Sequence, residues 1–167
     1  MNWDIKRWLR HELTSKRTVH RALPAESLKN LTQAIAESEK RHGGEIRLAV
    51  EAKIHAQLPW HHLSAQARAL QVFSHLRVWD TENNNGVLIY LLFADRHVQI
   101  IADRAIDRRV GGEEWSRICR LMETLFSQGE FEEGLRLGIV EITRHMEAHF
   151  PHRDSDVNEL PDEPVIL

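Results

Sequence analysis

Apolar positions along the chain recur with two periods, one typical of helices and one typical of strands. Residues 45–51 alternate between apolar Ile46, Leu48 and Val50 and polar positions, which predicts a first strand. Residues 86–93, GVLIYLLF, are continuously apolar but too few to cross a membrane, so they predict a central strand covered on both sides. Residues 97–103, HVQIIAD, follow a short ADR turn and predict an antiparallel partner strand in a hairpin.

Four longer stretches have apolar residues three or four positions apart, which predicts helices around these strands. Pro24 and Gly43–Gly44 bound the first, and Gly129 and Pro151 follow the last two. The positions expected to face the core are Leu28, Leu31, Ile35 and Ser38; then Leu63, Ala67, Leu70 and Phe73; then Trp115, Ile118, Met122 and Leu125; and finally Leu135, Ile139, Ile142 and Met146.

The predicted order of elements is therefore α-β-α-β-β-α-α. A strand–helix–strand unit places its two strands parallel, and the hairpin then adds an antiparallel strand. The fold class expected is α/β, a single three-layer α/β/α domain with a small mixed sheet. A length of 167 residues fits one such domain and is short for two.

The two ends of the chain differ from this central region in charge. Residues 1–21 are basic and carry Trp3, Trp8, Leu9 and Leu13, which predicts an amphipathic segment that rests on a membrane surface or a protein partner, or packs on the domain. Residues 22–151 form the expected domain, and residues 152–167 form an acidic tail. The tail ends in PVIL, so we expect its end to dock on the domain; the opposite charges also allow the two ends to meet.

Composition narrows the classes of function. The chain is 42% hydrophobic and 28% charged, with a net charge of −3 and a pI near 6.4, which gives no overall attraction to nucleic acid. Its single cysteine, Cys119, excludes an intramolecular disulfide and a CxxC metal site, and its helical context favours a buried apolar role over a nucleophile. The sequence contains no secretory leader pattern and no membrane-length apolar run. A cytoplasmic protein, peripheral to the inner membrane through its N-terminus, is expected.

The predicted topology gathers oxygen-bearing side chains at one edge of the sheet. The first two strands start at this edge and the third ends there, so loops and strand ends bring several acids and amides together. Clustered carboxylates raise one another's pKa and need a compensating charge. Calcium accepts such ligands in flexible number, with magnesium as the second choice; ion pairs with Arg104, Arg108 and Arg109 are the alternative. The metal ligands expected are Glu45, Asp80, Asn85, Asp103 and Asp107.

The stretch NNNGVLIYLLFADRHVQIIADRAID, residues 83–107, resembles the signature of the TPM domain family, in which an Asn-Gly turn opens a central strand and an ADR-like segment closes the next. The segments GGEIRLAVE and FSQGEFEEGLRLGIVEI are similar as well, so the resemblance covers about residues 22 to 151. It implies an α/β/α domain whose acidic edge falls on Glu45, Asp80 and Asp103, with Asn85 and Gly86 forming the turn.

The resemblance also implies function. Relatives have been described as calcium-binding, a thylakoid branch as acid phosphatases in photosystem repair, and other branches as membrane-tethered accessory proteins. This chain resembles the tailless, soluble bacterial subgroup, and Ala105 stands where many relatives have glycine. The leading expectation is an accessory or binding module with a calcium site. The alternative is an acid phosphatase, although the sequence has no P-loop, CxxxxxR or DxDx[TV] motif.

Overall fold

The computed structural model describes residues 5–54 and 64–167, and for residues 5–8 it describes the backbone alone. The expectations for Trp3, Leu63 and the side chain of Trp8 lie outside the described part. The helices and strands are α1 (Ile5–Leu13), α2 (Lys16–Ala22), α3 (Ala25–Glu39), β1 (Glu45–Glu51), α4 (Ala65–His75), β2 (Gly86–Leu92), β3 (His97–Ala102), α5 (Arg104–Val110), α6 (Gly112–Ser127), α7 (Phe131–His149) and β4 (Val165–Ile166).

The strands form one mixed sheet in the order β3-β2-β1-β4. Strands β1 and β2 are parallel, with Glu45 opposite Gly86, and β3 runs antiparallel to β2 after a 3₁₀ turn at Phe93–Asp95. The parallel pair and the hairpin confirm the predicted topology. Strand β4 was not predicted as a strand, but its pairing with β1 confirms that the end of the tail docks.

Each face of the sheet has its own apolar core. Alternate residues of β1 and β2, such as Leu48 and Ile89, pack with α3, α6 and α7 on one side. The intervening residues, such as Ala49 and Leu88, pack with α4 and with Leu160 of the tail on the other side. Helices therefore lie on both faces, which is the three-layer α/β/α arrangement expected from the sequence.

Strand β1 is buried along its whole length even though it carries charged residues. Glu51 accepts a hydrogen bond from the Tyr90 hydroxyl at 2.5 Å and from Arg68 at 2.8 Å, so its charge is compensated inside the second core. Burial, followed by this hydrogen bond, raises the pKa of Tyr90 above its usual range. The charged side chains of Glu45 and Arg47 instead form hydrogen bonds with the main chain of the C-terminal tail.

The helical stripes agree with the sequence in α7 and for most positions of α6, where Phe126 is buried in place of the predicted Leu125. In α7, Leu135, Ile139, Ile142 and Met146 are all buried, as predicted. In α4 the prediction was wrong for Leu70, which is 49% exposed, while Phe73 packs against the second core as predicted; Ala69 and Val72 are buried as well. Helix α4 lies over the large side chains of β2, including Tyr90, and small residues let it approach them closely.

No helix within residues 5–54 and 64–167 is both long enough and apolar enough to span a membrane.

Candidate functional site

The sequence predicts that acidic and amide side chains meet where β1 and β2 begin, and we call this edge the acidic rim; it comprises Glu45, Asp80, Asn85, Asp103 and Asp107. Glu45 pairs with Gly86 across the parallel ladder. On the other side of β2, the Asp103 N–H donates to the Gly86 carbonyl at 2.8 Å. Glu45 and Asp103 therefore flank the same residue, about 10 Å apart at two strand spacings.

Asn85 is the most buried member of the rim, with 1% of its surface exposed. The Thr81 hydroxyl accepts its backbone N–H at 3.1 Å, and its side-chain Nδ2 donates to the Gly43 carbonyl at 2.7 Å. These bonds tie the loop before β2 to the turn before β1. Its carbonyl oxygen Oδ1 is buried and has no hydrogen-bond partner within residues 5–54 and 64–167. A buried unpaired oxygen of this kind is costly unless a ligand or water satisfies it.

Asp103 is the N-cap of α5, a short helix that was not predicted from the sequence. Its Oδ1 accepts the N–H of Arg104 at 2.6 Å, while Oδ2 is buried and has no partner in the part of the chain that the structure describes. The capping geometry fixes the carboxylate at the start of the helix, where the exposed N–H groups favour negative charge. Asp103 therefore presents a second unsatisfied oxygen at the same rim.

The remaining three rim residues have other roles. Glu45 accepts the backbone N–H groups of Glu159 and Leu160 at 3.1 Å each. Burial, reinforced by the nearby carboxylates of Glu159 and Asp162, raises the pKa of Glu45 to about 7. Asp107 accepts the indole N–H of Trp115 at 3.0 Å, and Asp80 is exposed.

The strand register thus brings Glu45, Asn85 and Asp103 to one edge of the sheet, where each side chain has its own protein contacts. Within residues 5–54 and 64–167, no group of three or more His, Cys, Asp or Glu side chains is placed to hold a metal ion. The buried oxygens of Asn85 and Asp103 fit a cation bound mostly by amide, carbonyl and water oxygens, which calcium accepts.

The arginines of α5 do not neutralise the rim as salt bridges in the described part of the chain. Arg104 donates to the Asn84 side-chain carbonyl at 2.8 Å, and Asn84 has a left-handed φ of 51°. Arg109 donates to the His149 carbonyl at 2.6 Å and stacks on the Phe150 ring at 4.6 Å. These contacts fix the loops around the rim, so the ion-pair alternative drawn from the sequence finds no support there.

A cavity of about 230 Å³ lies beside the rim. It is bounded by the turn before β1, the loop before β2, α5 and the chain after α7. The Asp156 carboxylate accepts the N–H of Arg153 at 2.7 Å and lies against Gly43. Polar lining predominates, with Gly43, Asn83, Arg109, His149, Arg153 and Asp156 among the residues that bound it.

A second acidic group, missed in the sequence, surrounds the tail. Glu39 accepts the N–H of Ile46 at 3.0 Å. Burial, together with the charges of Glu45 and Asp162, raises the pKa of Glu39 to about 9. The apolar PVIL end is the signal that could have indicated it, because docking that end on the domain brings Asp162 beside β1.

Two other titratable residues are structural. Burial lowers the pKa of His42 to about 4, so the ring is neutral; its Nε2 lies 2.9 Å from the Ser38 hydroxyl and its Nδ1 accepts the Gly44 N–H. Burial raises the pKa of Cys119 to about 11, which disfavours the thiolate. Cys119 packs against the first core, as the sequence analysis favoured.

Comparisons with known proteins match most of the chain. A family model described as the TPM domain matches residues 20–145. The NMR structure of protein BA42 from the psychrophilic bacterium Bizionia argentinensis is 32% identical with a TM-score of 0.75, and the match covers 87% of this chain and 95% of that one. The solution NMR structure of the N-terminal domain of a P. gingivalis protein is 19% identical with a TM-score of 0.60, covering 78% and 83%; it shows the fold alone. No curated protein matches.

Proposed function

Because the chain belongs to the TPM domain family, we propose that it is an accessory or binding module that binds a divalent cation, calcium in preference to magnesium, at the acidic rim. The observation that carries this proposal is that two buried oxygens, Asn85 Oδ1 and Asp103 Oδ2, have no hydrogen-bond partner among the described residues. Calcium tolerates irregular sets of amide, carbonyl and water oxygens, whereas magnesium demands near-octahedral geometry and dehydrates reluctantly.

The charge of the rim also favours a cation over an anion. Asp80 lies in the loop before β2 and Asp107 lies one helical turn after Asp103, and none of these three aspartates forms an ion pair in the described part of the chain. Because the described part of the chain gathers no group of three or more acidic, histidine or cysteine side chains around one point, the site is expected to be weak. We expect a dissociation constant of roughly 0.1–1 mM, as in low-affinity calcium modules.

Titration with calcium, followed by amide NMR shifts and by calorimetry, tests this proposal. We expect shifts centred on residues 83–86 and 103–107, with weaker shifts for magnesium. Asp103→Asn keeps an oxygen for the helix cap but removes the charge, and we expect it to weaken calcium binding by about ten-fold. Glu130→Gln removes an exposed charge at the start of α7 and serves as the matched control. The proposal would be contradicted if calcium caused no NMR shifts at the rim, or if both variants lost calcium affinity equally.

The polar cavity beside the rim favours a second candidate, an acid phosphatase. Arginine side chains such as Arg109 and Arg153 suit phosphate oxygens, and a cation nearby would stabilise charge that develops on a transferred phosphoryl group. A p-nitrophenyl phosphate assay across acidic pH tests it. We expect each of three variants, Asp80→Asn, Asp103→Asn and Arg109→Gln, to reduce turnover. If turnover is unchanged in all three, this cavity is not the site of the activity.

For partners, we propose that the basic N-terminal segment rests on an anionic membrane surface, which would place the protein at the cytoplasmic face of the inner membrane. Leu13 is 79% exposed and Leu9 is 45% exposed, and Lys16, Arg17 and Arg21 are exposed near them. Apolar side chains beside basic ones are typical of interfacial helices.

Sedimentation with vesicles tests this partner. We expect pelleting with phosphatidylglycerol vesicles but not with phosphatidylcholine vesicles, and Leu13→Asp should abolish it. Leu70→Asp, at a leucine that is 49% exposed on α4, is the matched control and should pellet like the unmodified chain. Equal pelleting of the unmodified chain and the Leu13→Asp variant would show that the N-terminal segment does not contact the membrane.

A further inference from the structure

The end of the C-terminal tail lies along the outer edge of β1 like a bound peptide. Val165 and Ile166 pair in parallel with Ala49 and Val50, and the Leu167 N–H donates to the Val50 carbonyl at 2.9 Å. Leu160 is 9% exposed and packs in the second core, while Ile166 packs against the first. The tail therefore combines strand addition with a buried leucine on one side of the sheet and a partly buried isoleucine on the other.

Two buried charged residues of β1 bind the main chain of this tail. The Glu45 carboxylate accepts the N–H groups of Glu159 and Leu160. The Arg47 guanidinium donates to the carbonyls of Pro161 and Glu163. Both side chains are over nine-tenths buried. Because they contact backbone atoms, they recognise an extended conformation and leave the choice of sequence to the pockets beside them.

The contacts between the tail and β1 lie within residues 159–167. Strand β4 has two residues, which is too short to be stable by itself. Val157, just before this segment, is 75% exposed. The match to the family model ends at residue 145, so the tail lies outside the matched region while Glu45, Arg47 and the edge of β1 lie inside it.

We infer that the outer edge of β1 is a groove for extended peptides of partner proteins, and that the tail occupies this groove in cis. We call it the tail groove; it comprises the edge of β1 with Glu45 and Arg47, and the pocket that holds Leu160. The resident tail defines the peptide that fits: a leucine followed by proline, then acidic residues, a second proline and branched apolar residues. A partner segment of this chemistry would displace the tail and add to the sheet.

Binding of a labelled synthetic peptide of residues 157–167 to the full chain tests this inference. The tail in cis competes at an effective concentration in the millimolar range, so the unmodified chain should bind the peptide weakly. Leu160→Asp in the full chain should release the tail and strengthen peptide binding by about ten-fold or more, measured by fluorescence anisotropy. Equal affinity of the two chains would overturn the inference.

A matched variant and a matched peptide exclude simpler explanations. Val157→Asp introduces the same charge at an exposed tail position and should behave like the unmodified chain. A peptide that itself carries Leu160→Asp should not bind the released chain. If that peptide binds as well as the native one, the pocket does not select the leucine and the groove is not the site.

A second measurement does not depend on the folding of the variant. In the isotope-labelled unmodified chain, excess unlabelled peptide should shift the amides of residues 158–167 towards free positions and perturb residues 45–51. Absence of both changes at millimolar peptide would overturn the inference. Light scattering identifies a different occupant: dimers that form on concentration and vanish with Leu160→Asp would assign the groove to the tail of a second copy and overturn the assignment to a partner protein.

Discussion

At the scale of single residues, the buried glutamates beside the tail dominate the expected response to pH. The pKa of Glu39 is raised from 4.5 to about 9 and that of Glu45 to about 7, chiefly by burial. Between about pH 4.5 and 9 the folded protein therefore binds more protons than the unfolded chain, so its free energy of unfolding falls as pH rises. This stabilisation is complete below about pH 4.5 and is lost as pH rises towards 9.

We predict that the free energy of unfolding falls by about 1–3 kcal/mol between about pH 6 and 9, as urea denaturation would measure. Glu39→Gln should flatten this dependence because the amide does not ionise. Glu37→Gln, at an exposed residue of the same helix, should keep it. The pKa of His42 is lowered to about 4, so below about pH 6.5 this residue makes the free energy of unfolding rise with pH. The variants are therefore compared above pH 7, where His42 is neutral in both states. Identical slopes for the unmodified chain and Glu39→Gln would refute the assignment to Glu39.

Gly86 shows how one small residue determines the geometry of the rim. A Cβ atom there would lie 2.0 Å from the carbonyl oxygen of Val78, which is main chain and cannot rotate away. We predict that Gly86→Ala costs about 2–4 kcal/mol in thermal or urea unfolding. Gly112→Ala, where a Cβ would meet nothing within 4 Å, is the control and should be neutral or slightly stabilising. A similar cost at both positions would show that crowding at Val78 is not the cause.

At the scale of elements, the contact between α6 and α7 depends on two glycines of α7. A Cβ at Gly134 would lie 2.5 Å from the Phe126 ring, with the Met122 carbonyl at 3.2 Å. A Cβ at Gly138 would lie 2.6 Å from the end of the Met122 side chain, which is flexible.

We therefore predict unequal costs for the same substitution. Gly134→Ala should destabilise by about 1–3 kcal/mol, because the stacked Phe126 and Phe131 rings resist displacement. Gly138→Ala should cost less than about 1 kcal/mol, since Met122 can move and alanine favours the helix. Urea denaturation of the two variants measures the difference, and a larger cost at Gly138 would contradict the steric argument.

The same elements show what the sequence could predict. Long helices were predicted well because several apolar residues define one face, as Leu135 to Met146 do in α7. On α4 the position of Leu70 was predicted wrongly because leucine is more hydrophobic than Ala69, and pattern reasoning cannot see that the underlying strand leaves space for a small residue. Helix α5 and strand β4 have seven and two residues, too few to establish a period.

At the scale of the whole molecule, chain direction predicted that Glu45, Gly86 and Asp103 meet at one edge of the sheet, but it could not predict what each one binds. Glu45 reaches the rim as expected, yet its carboxylate is used by the tail. The two ends of the chain also approach each other, through Lys16 Nζ and the Ile166 carbonyl at 3.4 Å. This contact is with the main chain, so the opposite charges of the ends do not explain it. Side-chain partners depend on tertiary contacts that no local pattern encodes.

Glu45 links the two proposed sites, because it lies on the rim and holds the tail. If Glu45 were also a calcium ligand, the tail would have to release it, and calcium and tail would compete by a reciprocal coupling. Glu45 is not expected to join the cation site even when the tail is released, because it lies across β2 from Asp103, about 10 Å away at two strand spacings. We therefore predict that Leu160→Asp and Val157→Asp change the calcium affinity of the full chain by less than about two-fold. Calorimetric titration measures this, and ten-fold tighter binding in Leu160→Asp alone would instead show that the freed Glu45 joins the cation site.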